Sequence, residues 1–122
     1  MTNTQLVADY LETVWNQGRT DLAATYIATD LQQHNPKLAD GRTALAGLVD
    51  AIRGQLPQLR FELRRIAGEG DLVFAHSHFT PAPGALGMAV VDIFRIEDGL
   101  IAEHWDVSEE VPQDTASGRP TV

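Results

Sequence analysis

Six side chains of this sequence have the chemistry and the setting for moving protons: His34, His76, His78, His104, Asp92 and Asp106. An imidazole titrates near neutrality, and a carboxylate deprived of water gains basicity. Asp92 stands in Val90-Val91-Asp92-Ile93-Phe94, and Asp106 in a stretch otherwise built of Ile101, Trp105 and Val107. A carboxylate in such company must find a partner or face a cavity, because burying the charge alone costs too much. Two carboxylates flanking the imidazole of His104 would form a general acid/base group with its own orienting partner. The alternative is a buried His-Asp bond that only steadies a sheet.

His76 and His78 are two residues apart in a run that reads as a strand. Alternation would put them on the face of Leu72 and Phe74, which suggests a lined interior. His34 lies in Gln33-His34-Asn35-Pro36, where the chain must leave helical geometry before its proline, so it sits on an extended segment or loop. These histidines and aspartates could also hold a metal. No independent ligand motif such as a helical His-Glu-x-x-His accompanies them, and there is no cysteine, so no metal is expected. Nor is there a phosphate-cradling glycine loop, a nucleophile elbow or a dinucleotide fingerprint, so no cofactor is expected either.

The elements that must position these groups follow from periodicity. Leu6, Val7, Tyr10, Leu11, Val14 and Trp15 recur at helical spacing, with Gly18 where a left-handed cap belongs. Thr20 or Asp21 can cap a short second helix carrying Leu22, Ala23, Tyr26 and Ile27. Asp40-Gly41 opens a third, with Leu45, Leu48, Val49 and Ile52 on one face and Pro57 at its end. Beyond Pro57 the period drops to two. Strands are expected around 60–66, 72–79, 88–96 and 100–107, with a further short one at 31–34. The segment 81–87 reads as a loop, and 108–122 as a loosely held tail. The sum is one α+β domain over 1–122, with three N-terminal helices on a curved antiparallel sheet that encloses a pocket.

The hairpin at Asp98-Gly99 decides which residues share the site. A two-residue turn places Asp92 opposite Trp105 and sends His104 and Asp106 to the other face. A three-residue loop with Gly99 in a bulge places Asp92 opposite His104, on one face with Phe94 and Asp106. The second register is preferred because it gathers Asp92, Phe94, His104 and Asp106 and separates off Arg95 and Glu103. It leaves Val91, Ile93 and Trp105 as an apolar convex face, for which a homodimer is expected.

A chain of 122 residues is the size of one domain, and its net charge of -8 disfavours nucleic acid and anionic membranes as partners. No stretch has the ~18 apolar residues of a membrane helix and no basic, then apolar leader is present, so an unprocessed, soluble, cytoplasmic protein is expected.

Several segments together resemble one known family: Tyr26-Ile27, Gln33-His34-Asn35-Pro36, Asp40-Gly41, Val73 to His78, Asp92 to Gly99 and Ile101 to Val107. They look like those of SnoaL-like proteins, the polyketide-cyclase-like branch of the NTF2-like superfamily, over about 4–107. The resemblance implies an NTF2-like cone, commonly dimeric, around an apolar pocket with polar groups deep inside. It implies an intramolecular aldol condensation without metal or cofactor, with the carboxylate late in the final strand, here Asp106, as the base. The expected activity is therefore proton abstraction next to a carbonyl, followed by ring closure or isomerisation. Asp106 would act as base, with His104 or His34 bonded to the enolate oxygen and Asp92 orienting His104. The residues His76, His78, Phe94, Tyr10, Trp15 and Trp105 would contact a small apolar organic molecule. The other readings are a non-catalytic small-molecule binder and a hydrolase or dehydratase in the same pocket.

Overall fold

The computed structural model describes residues 1–122. Thr2 begins the first helix with a capping box, its hydroxyl accepting from Gln5 N while the Gln5 side chain accepts from Thr2 N. Helix α1 (Asn3–Tyr10) passes straight into a π-helical segment, Leu11–Asn16. The wider turn has a use, because side chains three or four apart meet on an α-helix and a π turn instead aligns residues five apart. Trp15 Nε1 accordingly donates to the Tyr10 hydroxyl at 2.9 Å. Gly18 ends the segment at φ +72°.

The second helix is reduced to a 3-10 turn, Thr20–Leu22, and a single α turn, α2 (Ala23–Tyr26). Ile27, expected on that helix, opens strand β1 (Ile27–Gln33), whose 7 residues start four positions earlier than the short strand expected at 31–34. Helix α3 (Arg42–Gln55) follows Gly41 and buries Leu45 and Val49. Then come β2 (Arg60–Glu69), β3 (Leu72–Thr80), β4 (Met88–Glu97) and β5 (Leu100–Glu110).

The sheet order is β1-β5-β4-β3-β2, antiparallel except that β1 lies parallel to β5. The sheet is therefore mixed and open, which corrects the wholly antiparallel expectation. Parallel neighbours need a long crossover, and the chain between β1 and β5 supplies it with α3 and three strands. Residues 108–110, expected in the tail, continue β5 against Met88 to Val90. No helix is long and apolar enough to cross a membrane.

The helices cover one face of the curved sheet. Val7, Val14, Ile27, Leu31, Val49, Val73 and Ile101 are essentially inaccessible there and form the floor of the core. Each such side chain removed from water stabilises the fold by about 1.5–3 kcal/mol. The opposite, convex face of the sheet has no helix over it and exposes Phe74 and Val107.

Candidate active site

The β4–β5 hairpin combines features of both anticipated registers. Its turn is the two-residue kind, Glu97 pairing with Leu100, and both turn residues have positive φ, Asp98 at 52° and Gly99 at 76°. The extra residue enters one step later, because Ile96 pairs with Ile101 while Arg95 pairs with Glu103, leaving Ala102 as a bulge. That shift restores the parity that a plain two-residue turn would have reversed. Asp92 faces Asp106 across the ladder and Phe94 faces His104, not the Asp92 and His104 pairing expected from a three-residue loop. All four side chains point to the concave face and line one cavity.

That cavity has a volume of about 260 Å³. Its apolar wall includes Leu11 of the π segment, Leu45, Leu48 and Ile52 of α3, and Phe61 and Phe79 of the sheet. Tyr10, Trp15 and Phe94 line it as well. Trp15 meets Phe61 edge-on at 5.2 Å between centroids, and Tyr10 meets Phe94 edge-on at 5.9 Å.

The polar groups converge on the wall made by β1, β4 and β5. His104 is held at both nitrogens, Nδ1 bonding Gln33 Oε1 at 2.7 Å and Nε2 bonding Asp92 Oδ1 at 2.8 Å. With Gln33 Oε1 accepting from Nδ1, Nε2 is the nitrogen turned to Asp92. Asp106 Oδ2 lies 3.8 Å from the same Nε2. Asn35 Nδ2 donates to both oxygens of Asp106, at 2.9 and 3.0 Å, while Asn35 Oδ1 accepts from Lys37 N at 2.9 Å. One amide thus fixes the base candidate and the loop beside it.

The side chains of His104 and Asp92 are only 10% and 8% exposed. Burial pushes the Asp92 carboxyl above the usual carboxylate range; the His104 bond opposes this and the Asp106 charge adds to it. Asp92 Oδ2 and the hydroxyl oxygen of nearby Ser77 are buried without a hydrogen-bond partner. Burial likewise drives the Tyr10 phenol upward, against the Trp15 bond and with help from the Asp92 charge.

The remaining expected site residues lie elsewhere. On β3 it is Val73, Ala75 and Ser77 that are fully buried, so His76 and His78 point to the convex face. There Arg65 Nη1 donates to His76 Nδ1 at 3.1 Å, and His78 Nε2 donates to the Leu86 carbonyl at 2.6 Å. The interior expected at Leu72, Phe74, His76 and His78 is the outside, because α1 lies against β3 and leaves space only for small side chains. His34 also lies outside the cavity. It stacks on Trp105 at 4.8 Å with 5° between the ring planes, and bonds Glu103 Oε2 at 2.7 Å. Trp105 is on that outer face and lines no part of the cavity. The residues on either side of His34, Gln33 and Asn35, are the ones that reach the site; alternation from buried Leu31 was the signal that points to them.

The ligating atoms of Asp92, His104 and Asp106 lie within 4.8 Å of one another, so this trio, and not the pair His76 and His78, is where a cation could be held. The Asp92 bond at His104 Nε2 would have to open to admit one.

A family model described as the SnoaL-like domain matches residues 7–104. No curated protein matches. Among solved structures, TsrD from Streptomyces laurentii is 26% identical, with 86% of each chain covered and a TM-score of 0.71. A SnoaL-like polyketide cyclase from Agrobacterium tumefaciens is 15% identical over 89% of this chain and 92% of that one, with a TM-score of 0.75. A protein of unknown function with a cystatin-like fold from Xanthomonas campestris is 22% identical over 90% and 92%, also at 0.75. The last two share the fold with this chain.

Proposed function

The chain belongs to the SnoaL-like domain family, and from that premise we propose that its cavity binds a small apolar organic molecule and acts on it as a carbon acid, by general acid/base catalysis without a cofactor. The observation that carries the reading is the Asp92, His104, Asp106 wall at the polar end of an otherwise apolar cavity. Asp106 is the base: its carboxylate lines the cavity, and Asn35 fixes its plane. As it takes a proton from carbon, negative charge moves to the neighbouring carbonyl oxygen of the substrate. A proton on His104 Nε2, shared with Asp92, supplies the compensating positive charge beside it. Gln33 and Asp92 hold the imidazole ring in place, so little reorganisation accompanies the step. Tyr10, Trp15 and Phe94 exclude water and hold the substrate's apolar body. Aldol-type ring closure or double-bond isomerisation follows from the enolate.

A non-catalytic binder would need the apolar walls but not a carboxylate fixed by its own amide. The test needs no natural substrate. Exchange of the hydrogens next to the carbonyl of 2-tetralone for deuterium, followed by NMR in D₂O, reports proton abstraction directly. Wild-type protein is expected to accelerate it and to keep doing so after chelator treatment. No acceleration leaves the binder reading, and loss on chelation moves the chemistry to a cation held by the trio.

The convex face carries Val91, Ile93 and Trp105, with exposed Phe74 and Val107 beside them. The protein is expected to pair through this face as a homodimer. Light scattering should give twice the 13.3 kDa chain mass at tens of micromolar, and Trp105→Glu should halve it. A wild-type value of one chain mass rejects the pairing.

A further inference from the structure

The site cavity is unusual in charge. Two carboxylates, Asp92 and Asp106, line it, and no lysine or arginine does. A ligand whose own anionic group entered here would meet the Asp106 carboxylate at the cavity wall, with the Asp92 carboxyl beside it, and be repelled. A second cavity of about 290 Å³ adjoins the first and shares Gln33, Leu38, Leu45 and Leu48 with it. Its remaining lining is Ala39, Ala44 and Lys37.

Lys37 is the one lysine of a chain with 17 acidic residues. Ion pairs engage Arg19, Arg60, Arg64 and Arg95 but not Lys37, whose side chain is exposed at this second cavity. Its position is fixed, because its backbone N–H donates to Asn35 Oδ1 and the same amide is bonded to Asp106. Lys37 is therefore tied through a single residue, Asn35, to the base, and Leu38 lines both cavities between them.

We propose that the two cavities form one bipartite site that takes an amphiphilic acid ring-first, with an uncharged ring system in the aromatic cavity and the anionic group beside Lys37. The inference rests on the proposed function for which end reacts, since only an uncharged carbonyl ring can sit against Asp106. It goes further in naming the substrate class, a cyclic ketone or enone with a carboxylate or other anion on a short tail. Charge then sets the direction of entry: reversed binding would put the anion against the Asp106 carboxylate and leave Lys37 facing an apolar ring. Phosphate and carboxylate tails would satisfy Lys37 alike.

Calorimetric titration at neutral pH with three probes tests the arrangement independently of turnover. These are 2-naphthol, 2-naphthoate and 4-(2-naphthyl)butanoate, which are uncharged, anionic at the ring and anionic on a tail. The tail acid is expected to bind at least as tightly as 2-naphthol, and 2-naphthoate at least about tenfold more weakly. Lys37→Glu should weaken the tail acid about three- to tenfold and leave 2-naphthol unchanged, a small effect because the lysine is solvated. Asp106→Asn should recover part of the affinity for 2-naphthoate. Equal binding of 2-naphthoate and 2-naphthol, an unaltered tail acid in Lys37→Glu, or no binding by any of the three overturns the proposal. Because these are affinities, they can fail while deuterium exchange of tetralone succeeds, and the reverse.

Discussion

Two imidazole–carboxylate pairs of nearly equal length occupy opposite faces of the same sheet edge. On the concave face His104 meets Asp92 at 2.8 Å, with side chains 10% and 8% exposed. On the convex face His34 meets Glu103 at 2.7 Å, with side chains 44% and 16% exposed. Their surroundings drive the carboxyls in opposite directions. Asp92 is pushed up by burial, whereas the bonds from Arg95 and then His34 hold Glu103 below the usual range. The inner carboxyl thus holds its proton more firmly than an ordinary carboxylate, and the outer carboxylate is held ionised by a guanidinium that can never give its proton away. Distance alone would not have told them apart.

The largest separation between the two faces should appear in catalysis. Asp106→Asn keeps the shape of the site and its cavity but removes the basicity, and should slow tetralone exchange about 100- to 10,000-fold. Glu103→Gln, one ladder step from His104 and facing outward, should leave the rate within about twofold of wild type. If the two variants behave alike, the concave wall is not the catalytic face.

Stability should separate them next. His104→Ala leaves Asp92 buried without its partner, and denaturant unfolding at neutral pH should show a loss of about 3–5 kcal/mol. The loss should shrink in acid, where Asp92 can take a proton and lose its charge. A cost near 1 kcal/mol at neutral pH would mean that water reaches Asp92 and that the inner pair is no more special than the outer one.

The pH dependence should carry opposite signs. Asp92 has a folded-state pKa raised above 3.8, so the folded protein keeps that proton to higher pH than the unfolded chain. Its contribution is complete below 3.8 and is lost as pH rises through the folded value. Glu103 is lowered from 4.5, so its contribution is present above 4.5 and is lost as pH falls through the folded value. Melting temperatures between about pH 3 and pH 7 should therefore show wild type losing ground to Asp92→Asn as pH rises, and gaining on Glu103→Gln over the same direction. Parallel curves for all three proteins would remove the electrostatic distinction.

Periodicity made the fold class legible, but topology and parity needed more. Helix α3 and the later strands stand near their expected places because a 3.6 period gives way to a period of two after Pro57. The parallel pairing of β1 with β5 is invisible locally, since it joins segments about 70 residues apart. Facing on β3 is the reverse of what side-chain bulk suggests, because Val73, Ala75 and Ser77 are the side chains packed beneath helix α1. Phe74 and the two histidines beside it face outward for the same reason. On β5 the gathering of His104 and Asp106 with Asp92 comes from a bulge at Ala102, which no turn signal announces, and not from a three-residue loop. Asn35 and Gln33, which reach Asp106 and His104, carry less distinctive chemistry in the sequence than the imidazole between them.

The smallest expected effect is the one aimed at that imidazole. His34 has what a catalytic histidine needs by type, a carboxylate at 2.7 Å and a flat aromatic neighbour in Trp105. It stands nevertheless on the convex face, where solvent screens the pair and Arg95 already satisfies the other oxygen of Glu103 at 2.8 Å. An exposed pair of this kind is worth about 0–1 kcal/mol, and stacking on Trp105 adds a similar amount at most. His34→Gln should therefore cost no more than about 1 kcal/mol in denaturant unfolding and leave tetralone exchange within about twofold of wild type. Salt offers a second handle, because several hundred millimolar sodium chloride should erase the small stability difference of an exposed pair but not that of His104→Ala. A hundredfold loss of exchange in His34→Gln would break the division between the faces. It would mean that the convex side, alone or against a second copy of the chain, takes part in the reaction.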